Sequence, residues 1–268
     1  FFRMYCIFYA NYLTNNREKL GGLKEGFFKP LVYLLPVIAI LIGIQSHLSA
    51  TILIILVISI MMIMAGSKLR YFLTIGGGLA ALGGSALYIL AKYFDKGAYR
   101  LARITAFMNP WADPTKSGWQ IIQSLYAIGS GGLFGAGLGN STQKYLYLPV
   151  PQNDFIFAVI AEELGFVGAI ILIALFGLLI WQGFKIAIKS KTYFGALVVM
   201  GISTQIALQV LINIAVATSL LPNTGISLPF FSSGGSSMLF TLFSMGVVLG
   251  ISRDTNDNRI QRKDVENA

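Results

Sequence analysis

Long apolar runs separated by short polar breaks make up most of the chain. Seven such runs, rich in Leu, Ile, Val, Phe, Gly and Ala, lie near residues 1–13, 30–45, 49–66, 71–92, 155–184, 193–220 and 228–252. About 20 apolar residues in an α-helix cross a hydrocarbon core about 30 Å thick. Because backbone groups in lipid must pair within their own segment, each run is predicted to be a membrane-spanning helix. The polar break at residues 45–47 divides the stretch from 31 to 65 into two helices.

Composition narrows the class of protein. Only 12% of the 268 residues are charged and 55% are hydrophobic, whereas soluble domains average about 25% charged residues. The composition therefore favours a membrane protein over a water-soluble single core. The single cysteine, Cys6, rules out a disulfide framework within the chain. Residue 1 is Phe and lies inside an apolar run, so we expect this sequence to lack its N-terminal part.

The distribution of lysine and arginine predicts the orientation of the helices. Four polar segments are basic, and they alternate with two short loops, 45–49 and 221–227, that contain no Lys or Arg. The basic residues are Arg17, Lys19, Lys24, Lys29, Lys68, Arg70, Lys185, Lys189, Lys191, Arg253, Arg259, Arg262 and Lys263. Because cytoplasmic loops carry the excess of basic residues, this set and the C-terminus are predicted to be cytoplasmic. The formal charge of +9 then reflects topology and anionic lipid, not nucleic acid.

The connection from about residue 93 to 154 is predicted to lie on the outer side, and a connection of this length is usually functional. It contains the pattern of an amphipathic helix at the membrane surface, with Gln120, Gln123 and Ser124 on one side. The glycine-rich stretch GSGGLFGAGLGN, residues 129–140, follows. Since no strand precedes it, the stretch is predicted to be a close-packing turn and not a nucleotide-binding loop.

Charged side chains of this connection are the candidates for chemistry. Arg100 and Arg103, three residues apart on a predicted helix, could clamp a phosphate or pyrophosphate; solvated surface charge is the alternative. Asp154 begins the next apolar run, where it could cap the helix or act as a general base. Glu162 and Glu163 lie about two turns deeper, roughly 12 to 14 Å along the helix. A neutral acid, or an acid paired with a cation, is expected there.

A second polar cluster, LLPNTGISLPFFSSGGSSM at residues 220–238, is predicted on the same outer side as Asp154. Its prolines, Pro222 and Pro229, and its glycines predict a broken or re-entrant helix start, which membranes tolerate only where it lines a cavity. This segment and the long outer connection are therefore predicted to wall one pocket. Asn213, in the preceding span, is expected to hydrogen-bond across helices.

Two stretches carry a resemblance to a known family. They read NPWADPTKSGWQIIQSLYAIGSGGLFGAGLGNSTQKYLYLPVPQNDFIFAVIAEELGFVG and LINIAVATSLLPNTGISLPFFSSGGSS. With these motifs the chain resembles the SEDS proteins (shape, elongation, division and sporulation), and among them the FtsW and SpoVE branch more than RodA. The resemblance implies an all-α polytopic membrane fold of ten helices, of which this chain would carry the last seven. Residues 1–252 would form the membrane-embedded domain and residues 253–268 a polar cytoplasmic tail.

The resemblance implies a peptidoglycan glycosyltransferase that polymerises lipid II into glycan strands. The reaction would take place on the outer face of the bacterial cytoplasmic membrane, in division or sporulation. The implied partners are a class B penicillin-binding protein, which is a transpeptidase, proteins of the divisome or sporulation septum, and membrane lipids. Asp154 takes the place of the family's essential loop aspartate. Its role as general base and its role as ligand of a divalent cation, Mg or Mn, both stay open.

Pattern and resemblance together give the remaining site residues. Undecaprenyl pyrophosphate would be an anionic leaving group, which nearby cations could stabilise as charge develops. The residues expected to bind substrate are Arg3, Arg100, Arg103, Gln123, Ser124, Gln143, Lys144, Ser232, Gly234, Gly235, Ser236 and Ser237. The residues expected to support them are Glu162, Glu163, Asn213 and Pro229.

Three positions depart from the family pattern: Val150 stands where Glu is usual, Ser233 where Tyr is usual, and His47 at an acidic position. A lipid II flippase and a non-catalytic scaffold of the synthase complex are the competing interpretations. The flippase predicts coupling acids at mid-membrane, for which Glu162 and Glu163 are the candidates. The scaffold predicts that the change Asp154→Ala leaves function intact.

Overall fold

A computed structural model of the chain describes residues 2–43, 48–78, 81, 85, 107–112, 114, 118–141, 155–231 and 234–266. The longer helices in these ranges are α1 (Phe2–Asn15), α2 (Lys29–Gly43), α3 (Leu48–Met64), α4 (Trp119–Ser130), α5 (Ile156–Lys189), α6 (Tyr193–Ala217) and α7 (Gly235–Glu266). The shorter helical stretches are Arg17–Lys19, Lys24–Phe28, Leu69–Tyr71, Phe72–Gly76 and Pro110–Ala112. These ranges contain no β-strand, so the predicted all-α fold class is confirmed for them.

The apolar runs near 1–13, 30–45, 49–66, 155–184 and 193–220 coincide with helices α1, α2, α3, α5 and α6. Helices α5 and α6 and the segment Gly235–Asp254 of α7 are long and apolar enough to cross a membrane, and α3 is a shorter apolar helix. The division predicted at residues 45–47 lies outside the described residues; the described helices on either side of it, α2 and α3, end at Gly43 and begin at Leu48. Of the run near 71–92, the structure describes mainly the beginning, which forms a π-helical turn at Phe72–Gly76. The chain is therefore a multi-pass membrane protein.

The last predicted run begins too early. The sequence predicts a span from residue 228, whereas α7 begins at Gly235. Residues 229–231 form a turn, in which Pro229 has no backbone donor and Phe230 adopts a φ of +68°. A non-glycine residue with positive φ interrupts a right-handed helix. The helix therefore starts after the turn, and it then continues through residue 252 to Glu266.

The first of two compact units comprises Phe1–Phe72, Gly177–Leu208 and Ser236–Ala268. Helices α1 and α2 both pack against α3 in this unit. Its buried apolar side chains include Tyr9, Leu13 and Met61. The Tyr9 hydroxyl donates to the Pro30 carbonyl oxygen at 2.6 Å, which satisfies the polar group of a side chain that is otherwise packed against apolar neighbours.

Three basic loops meet within this first unit. The Arg17 guanidinium, after α1, lies 4.5 Å from the centroid of the Tyr193 ring at the start of α6. The Tyr193 hydroxyl donates to the Ala65 carbonyl oxygen, after α3, at 2.8 Å. Lys191, between α5 and α6, forms an ion pair with Asp254 of α7 at 3.7 Å. The loops that the sequence predicts to be cytoplasmic are therefore neighbours in the fold.

The second compact unit comprises Leu73–Phe176 and Gln209–Gly235. Its apolar core joins the beginning of α5 to the end of α6, where Phe155 and Val159 pack with Val216. A neighbouring cluster adds Ile128 of α4, packed against the buried residues Phe157, Ala161, Ala169 and Ala217. The core therefore holds α4 beside the first turns of α5.

Helix α5 is broken at Gly165, which has φ +68° and ψ −169°. This backbone region is populated almost only by glycine. The break leaves a short helix, residues 156–164, and a longer one, residues 166–189. The longer part alone measures about 36 Å at 1.5 Å per residue, which is enough to cross a bilayer.

Candidate active site

The polar side of α4 faces protein. The Ser124 hydroxyl, fully buried, donates to the Ala217 carbonyl oxygen at 2.8 Å. One turn earlier, Asn223 Nδ2 donates to Gln120 Oε1 at 2.7 Å. Gln123 is buried as well, while Tyr126 on another side is half exposed. The predicted helix is confirmed, and its polar side chains serve to hold it against the segment that follows α6.

Four backbone hydrogen bonds join the glycine-rich loop after α4 to α5 at its break. They pair backbone groups that the break at Gly165 leaves without partners inside the helix. The Ala136 amide donates to the Glu162 carbonyl oxygen at 2.9 Å, and the Gly137 amide donates to the Glu163 carbonyl oxygen at 3.0 Å. These two carbonyl groups lie at the end of the short helix. The amides at the start of the longer helix donate back to the loop: Phe166 to Gly132 at 2.9 Å and Val167 to Leu133 at 3.2 Å. Helix ends otherwise leave such groups unpaired.

Glycine is required in this loop because the two backbones lie so close together. A Cβ on Gly131 would overlap the carbonyl oxygen of Ala161, and a Cβ on Gly135 would overlap that of Glu163. Gly135 also has a φ of +82°. The prediction of a close-packing turn is confirmed, and the surface onto which it packs is the broken helix.

Glu162 is the buried acid of this region. Its side chain is 2% exposed, and its Oε2 accepts a hydrogen bond of 2.5 Å from the hydroxyl of Ser141, which is 1% exposed. The neighbouring Glu163 has one buried carboxylate oxygen, Oε1, without a hydrogen-bond partner among the described residues. Sequence reasoning missed the pair with Ser141, because two residues 21 positions apart in an irregular segment carry no periodic signal of contact.

The segment after α6 is held by Asn213. Its Nδ2 donates to the Ile226 carbonyl oxygen at 2.9 Å, so this hydrogen bond joins the helix to the following loop, whereas the sequence predicts a bond between helices. Pro229 is buried, and the rings of Phe230 and Phe231 lie 6.4 and 6.2 Å from that of Phe176. The predicted irregular helix start is therefore a packed turn.

The predicted site residues fall into four sets. Several lie outside the described residues: Arg100, Arg103, Gln143, Lys144, Asp154 and Ser232, together with His47, Val150 and Ser233. Arg3 belongs to α1, but its side chain is outside the described part. The second unit brings together Gln123, Ser124, Glu162, Glu163, Asn213 and Pro229. Gly235, Ser236 and Ser237 are exposed at the start of α7, just after Gly234.

A divalent cation needs several oxygen or nitrogen ligands close together. The described side chains contain no group of three or more His, Cys, Asp or Glu residues that could hold one. The ligand role of Asp154 therefore stays a prediction.

Comparison with known proteins identifies relatives along almost the whole chain. The FtsW/RodA/SpoVE family, described as "Cell cycle protein", matches residues 3–257. Stage V sporulation protein E of Bacillus subtilis is 43% identical over 92% of this chain and 65% of the relative. Probable peptidoglycan glycosyltransferase FtsW of Geobacter sp. is 42% identical, again over 92% and 65%.

Chains of known structure are also similar to this chain in fold and in sequence. A chain from a structure titled "Structural coordination of polymerization and crosslinking by a peptidoglycan synthase complex" is similar with a TM-score of 0.72 and 26% identity, over 92% of this chain and 69% of that one. RodA of Thermus thermophilus, a rod shape determining protein, is similar with a TM-score of 0.57 and 28% identity, over 92% and 64%. The chain spans about two thirds of the length of these relatives.

Proposed function

We propose, since this chain belongs to the FtsW/RodA/SpoVE family of cell cycle proteins, that it is part of a peptidoglycan glycosyltransferase. The substrate would be lipid II and the product a glycan strand, in cell division or sporulation. The observation that carries the proposal is the match over residues 3–257, to relatives that include an FtsW named as a probable peptidoglycan glycosyltransferase. That match includes Asp154 and the buried helix start that follows it.

In the proposed reaction the Asp154 carboxylate takes the proton of the acceptor sugar hydroxyl. The hydroxyl oxygen then forms a glycosidic bond to the anomeric carbon of the donor, while the bond from that carbon to the pyrophosphate oxygen breaks. Undecaprenyl pyrophosphate leaves with the bonding electron pair, and Arg100, Arg103 and Lys144 stabilise its charge. A divalent cation held by Asp154 would instead share the charge of the pyrophosphate.

The contacts of the second unit support a preformed site. Glycosyl transfer needs reacting groups held within a few tenths of an ångström of their productive positions. The glycine-rich loop is fixed by four backbone hydrogen bonds to the broken helix α5, and α4 is fixed by Ser124. Both elements precede the segment that carries Asp154, which suits a reaction that depends on positioning.

The proposed partner is a class B penicillin-binding protein, because a similar chain belongs to a structure titled a peptidoglycan synthase complex. Proteins of the divisome or sporulation septum are further proposed partners. The proposed location is the cytoplasmic membrane of a bacterium, with residues 1–252 embedded and the tail 253–268 in the cytoplasm. Asp154 would lie on the extracytoplasmic side.

The test is polymerisation of lipid II in detergent by the full-length protein with its cognate penicillin-binding protein, whose own catalysis is blocked. We compare Asp154 with Asp154→Asn, which keeps the size of the side chain and removes the base. Glycan strands that disappear in Asp154→Asn, with folding and partner binding unchanged, are the expected result. Equal polymer from both proteins would contradict a catalytic Asp154, and polymer from neither would contradict the activity.

A further inference from the structure

The glycine-rich loop exposes large apolar side chains in a part of the chain that carries no charge. Phe134 is 82% exposed, Leu138 is 77% exposed and Leu133 is 65% exposed. Residues 118–141, which contain α4 and this loop, include no Asp, Glu, Lys, Arg or His. Clustered apolar side chains at a surface mark contact with protein or membrane rather than with water. The loop tip, residues 133–138, therefore favours an apolar environment.

A backbone hydrogen bond fixes the depth of the loop tip along α5. The Phe166 amide donates to the Gly132 carbonyl oxygen at 2.9 Å, and Gly132 immediately precedes the loop tip. The uncharged part of the longer helix, residues 166–184, measures about 28 Å, slightly less than a hydrocarbon core of about 30 Å. Because Lys185 ends this part, its whole length is needed for the crossing. Phe166, and with it the loop tip, therefore lies at the hydrocarbon boundary.

The backbone of the loop tip suits contact with lipid. Lipid offers no hydrogen bonds, so irregular backbone at membrane depth must be paired within the protein. The Gly135 amide donates to the Gly131 carbonyl oxygen at 2.8 Å, and the amides of Ala136 and Gly137 donate to carbonyl oxygens at the end of the short helix. The Leu133 carbonyl oxygen accepts from an amide at the start of the longer helix. The central amides of the loop tip therefore need no water.

An aromatic pair on α4 and beside it is typical of a membrane interface. The rings of Trp111 and Tyr126 lie 6.0 Å apart, edge to face, and both side chains are more than half exposed. Trp and Tyr are enriched where membrane and water meet, because each combines an apolar ring with a polar group. Tyr126 belongs to α4, which leads into the glycine-rich loop. The loop tip therefore follows a helix that carries side chains suited to the interface.

We propose that the loop tip inserts into the lipid leaflet at the start of the longer part of α5, with Leu133, Phe134 and Leu138 among the acyl chains below the headgroups. Under the predicted orientation this is the outer leaflet. Interfacial anchors of this kind are buried by about 5 to 10 Å. The polar side of α4 is held against protein by Ser124, so the apolar tip is the part that meets lipid. This membrane contact is independent of the proposed reaction.

Depth-dependent fluorescence quenching tests the insertion. The full-length protein, in a background without other cysteines, is labelled with an environment-sensitive fluorophore at Phe134→Cys or Leu138→Cys. Both side chains are exposed, so neither change removes a buried contact. The labelled protein is placed in vesicles of phosphatidylethanolamine and phosphatidylglycerol. The matched control is Asn140→Cys, an exposed polar position near the end of the same loop. The quenchers are lipids with a nitroxide near the headgroup or near the chain end, and iodide, which stays in water.

At Phe134→Cys and Leu138→Cys, the nitroxide near the headgroup should quench more strongly than the nitroxide near the chain end. Iodide should quench these two labels severalfold less than the label at Asn140→Cys. Equal iodide quenching at all three positions would overturn the proposal, because the loop tip would then lie in water. If one labelled variant does not fold, the other carries the measurement.

Two further results would contradict insertion into lipid. Labels on the loop tip that neither quencher reaches would show that protein covers it. Nitroxide quenching that disappears when the cognate penicillin-binding protein is added would show that the loop tip is a docking surface for that partner. Quenching by nitroxide lipids that persists with the partner present supports lipid as the occupant.

Discussion

At the residue scale, Gly165 combines two requirements that no other residue type meets. Its backbone angles are those of glycine alone, and a Cβ would lie 2.6 Å from the Leu133 carbonyl oxygen. A non-glycine residue in this backbone region costs about 1 to 3 kcal/mol before any clash is counted. We expect Gly165→Ala to lower the thermal unfolding midpoint in detergent by several degrees and to reduce the yield of folded protein.

Gly177 provides the matched control for this change. It lies in the longer part of the same helix, and a Cβ there would meet nothing within 4 Å. Alanine favours helix by about 1 kcal/mol over glycine, so Gly177→Ala should be neutral or slightly stabilising. Equal midpoints for the two variants would show that the break in α5 is not held by the glycine-rich loop.

Single contacts mark the limit of what the sequence predicts. The side of α4 that carries Ser124 follows from helical periodicity, and the structure confirms the helix. The partner of Ser124, the Ala217 carbonyl oxygen, lies 93 residues away and cannot be read from any spacing. The pair of Ser141 and Glu162 is of the same kind. Periodicity identifies which side chains share a face, whereas partners depend on how distant segments pack.

At the element scale, the sequence predicts where the long apolar helices lie but not where a helix is interrupted. The apolar run from 155 to 184 predicts one helix, and a glycine within a helical pattern is usually tolerated. The break at Gly165 depends on a loop about thirty residues earlier that supplies the missing hydrogen bonds. The break also changes the predicted depth of Glu162 and Glu163. Residues 166–189 are long enough to cross a bilayer without the first part of α5, so neither acid is required to lie at mid-membrane, where a flippase is expected to carry its coupling acids.

Another element-scale contact joins the end of α1 to the start of α2 through Glu25. Its Oε1 lies 2.6 Å from Lys29 Nζ, and the Tyr12 hydroxyl donates to its Oε2 at 3.2 Å. The hydrogen bond from Lys29 lowers the pKa of Glu25 below its ordinary value of 4.5. The hydrogen bond from Tyr12 lowers this pKa further, by a smaller amount. A lowered folded-state pKa stabilises the protein above pH 4.5, and this contribution is lost as the pH falls through the folded-state value.

The change Glu25→Gln should therefore lower the thermal midpoint slightly near neutral pH. The difference from the wild type should shrink as the pH falls below 4.5, and it should also shrink in high salt, because the Lys29 side chain is 45% exposed to the solvent ions that screen the pair. Thermal unfolding followed across this pH range checks the prediction. Glu18→Gln, a change at an exposed glutamate of the same loop, is the control. A difference that grows toward acid pH would contradict the assigned sign.

At the scale of the whole molecule, charge and contact agree on which loops share one side. The four basic segments on which the predicted orientation rests all fall within the first compact unit. Three contacts join three of these loops and α7. They are the cation–π contact of Arg17 with Tyr193, the hydrogen bond from Tyr193 to Ala65, and the ion pair of Lys191 with Asp254. Segments in direct contact must lie on the same side of the bilayer. The contacts were unpredictable from the sequence, yet they support the grouping that the Lys and Arg count predicts.

The orientation itself gives the last prediction. If the basic loops are cytoplasmic, as the positive-inside rule requires, the glycine-rich loop is extracytoplasmic. In a Cys6→Ala background, a membrane-impermeant maleimide added to intact spheroplasts should label Asn140→Cys, which is exposed in that loop. Lys19→Cys, exposed after α1, should react only once the membrane is permeabilised. The reverse pattern would place Asp154 in the cytoplasm, where polymerisation on the outer face would be impossible.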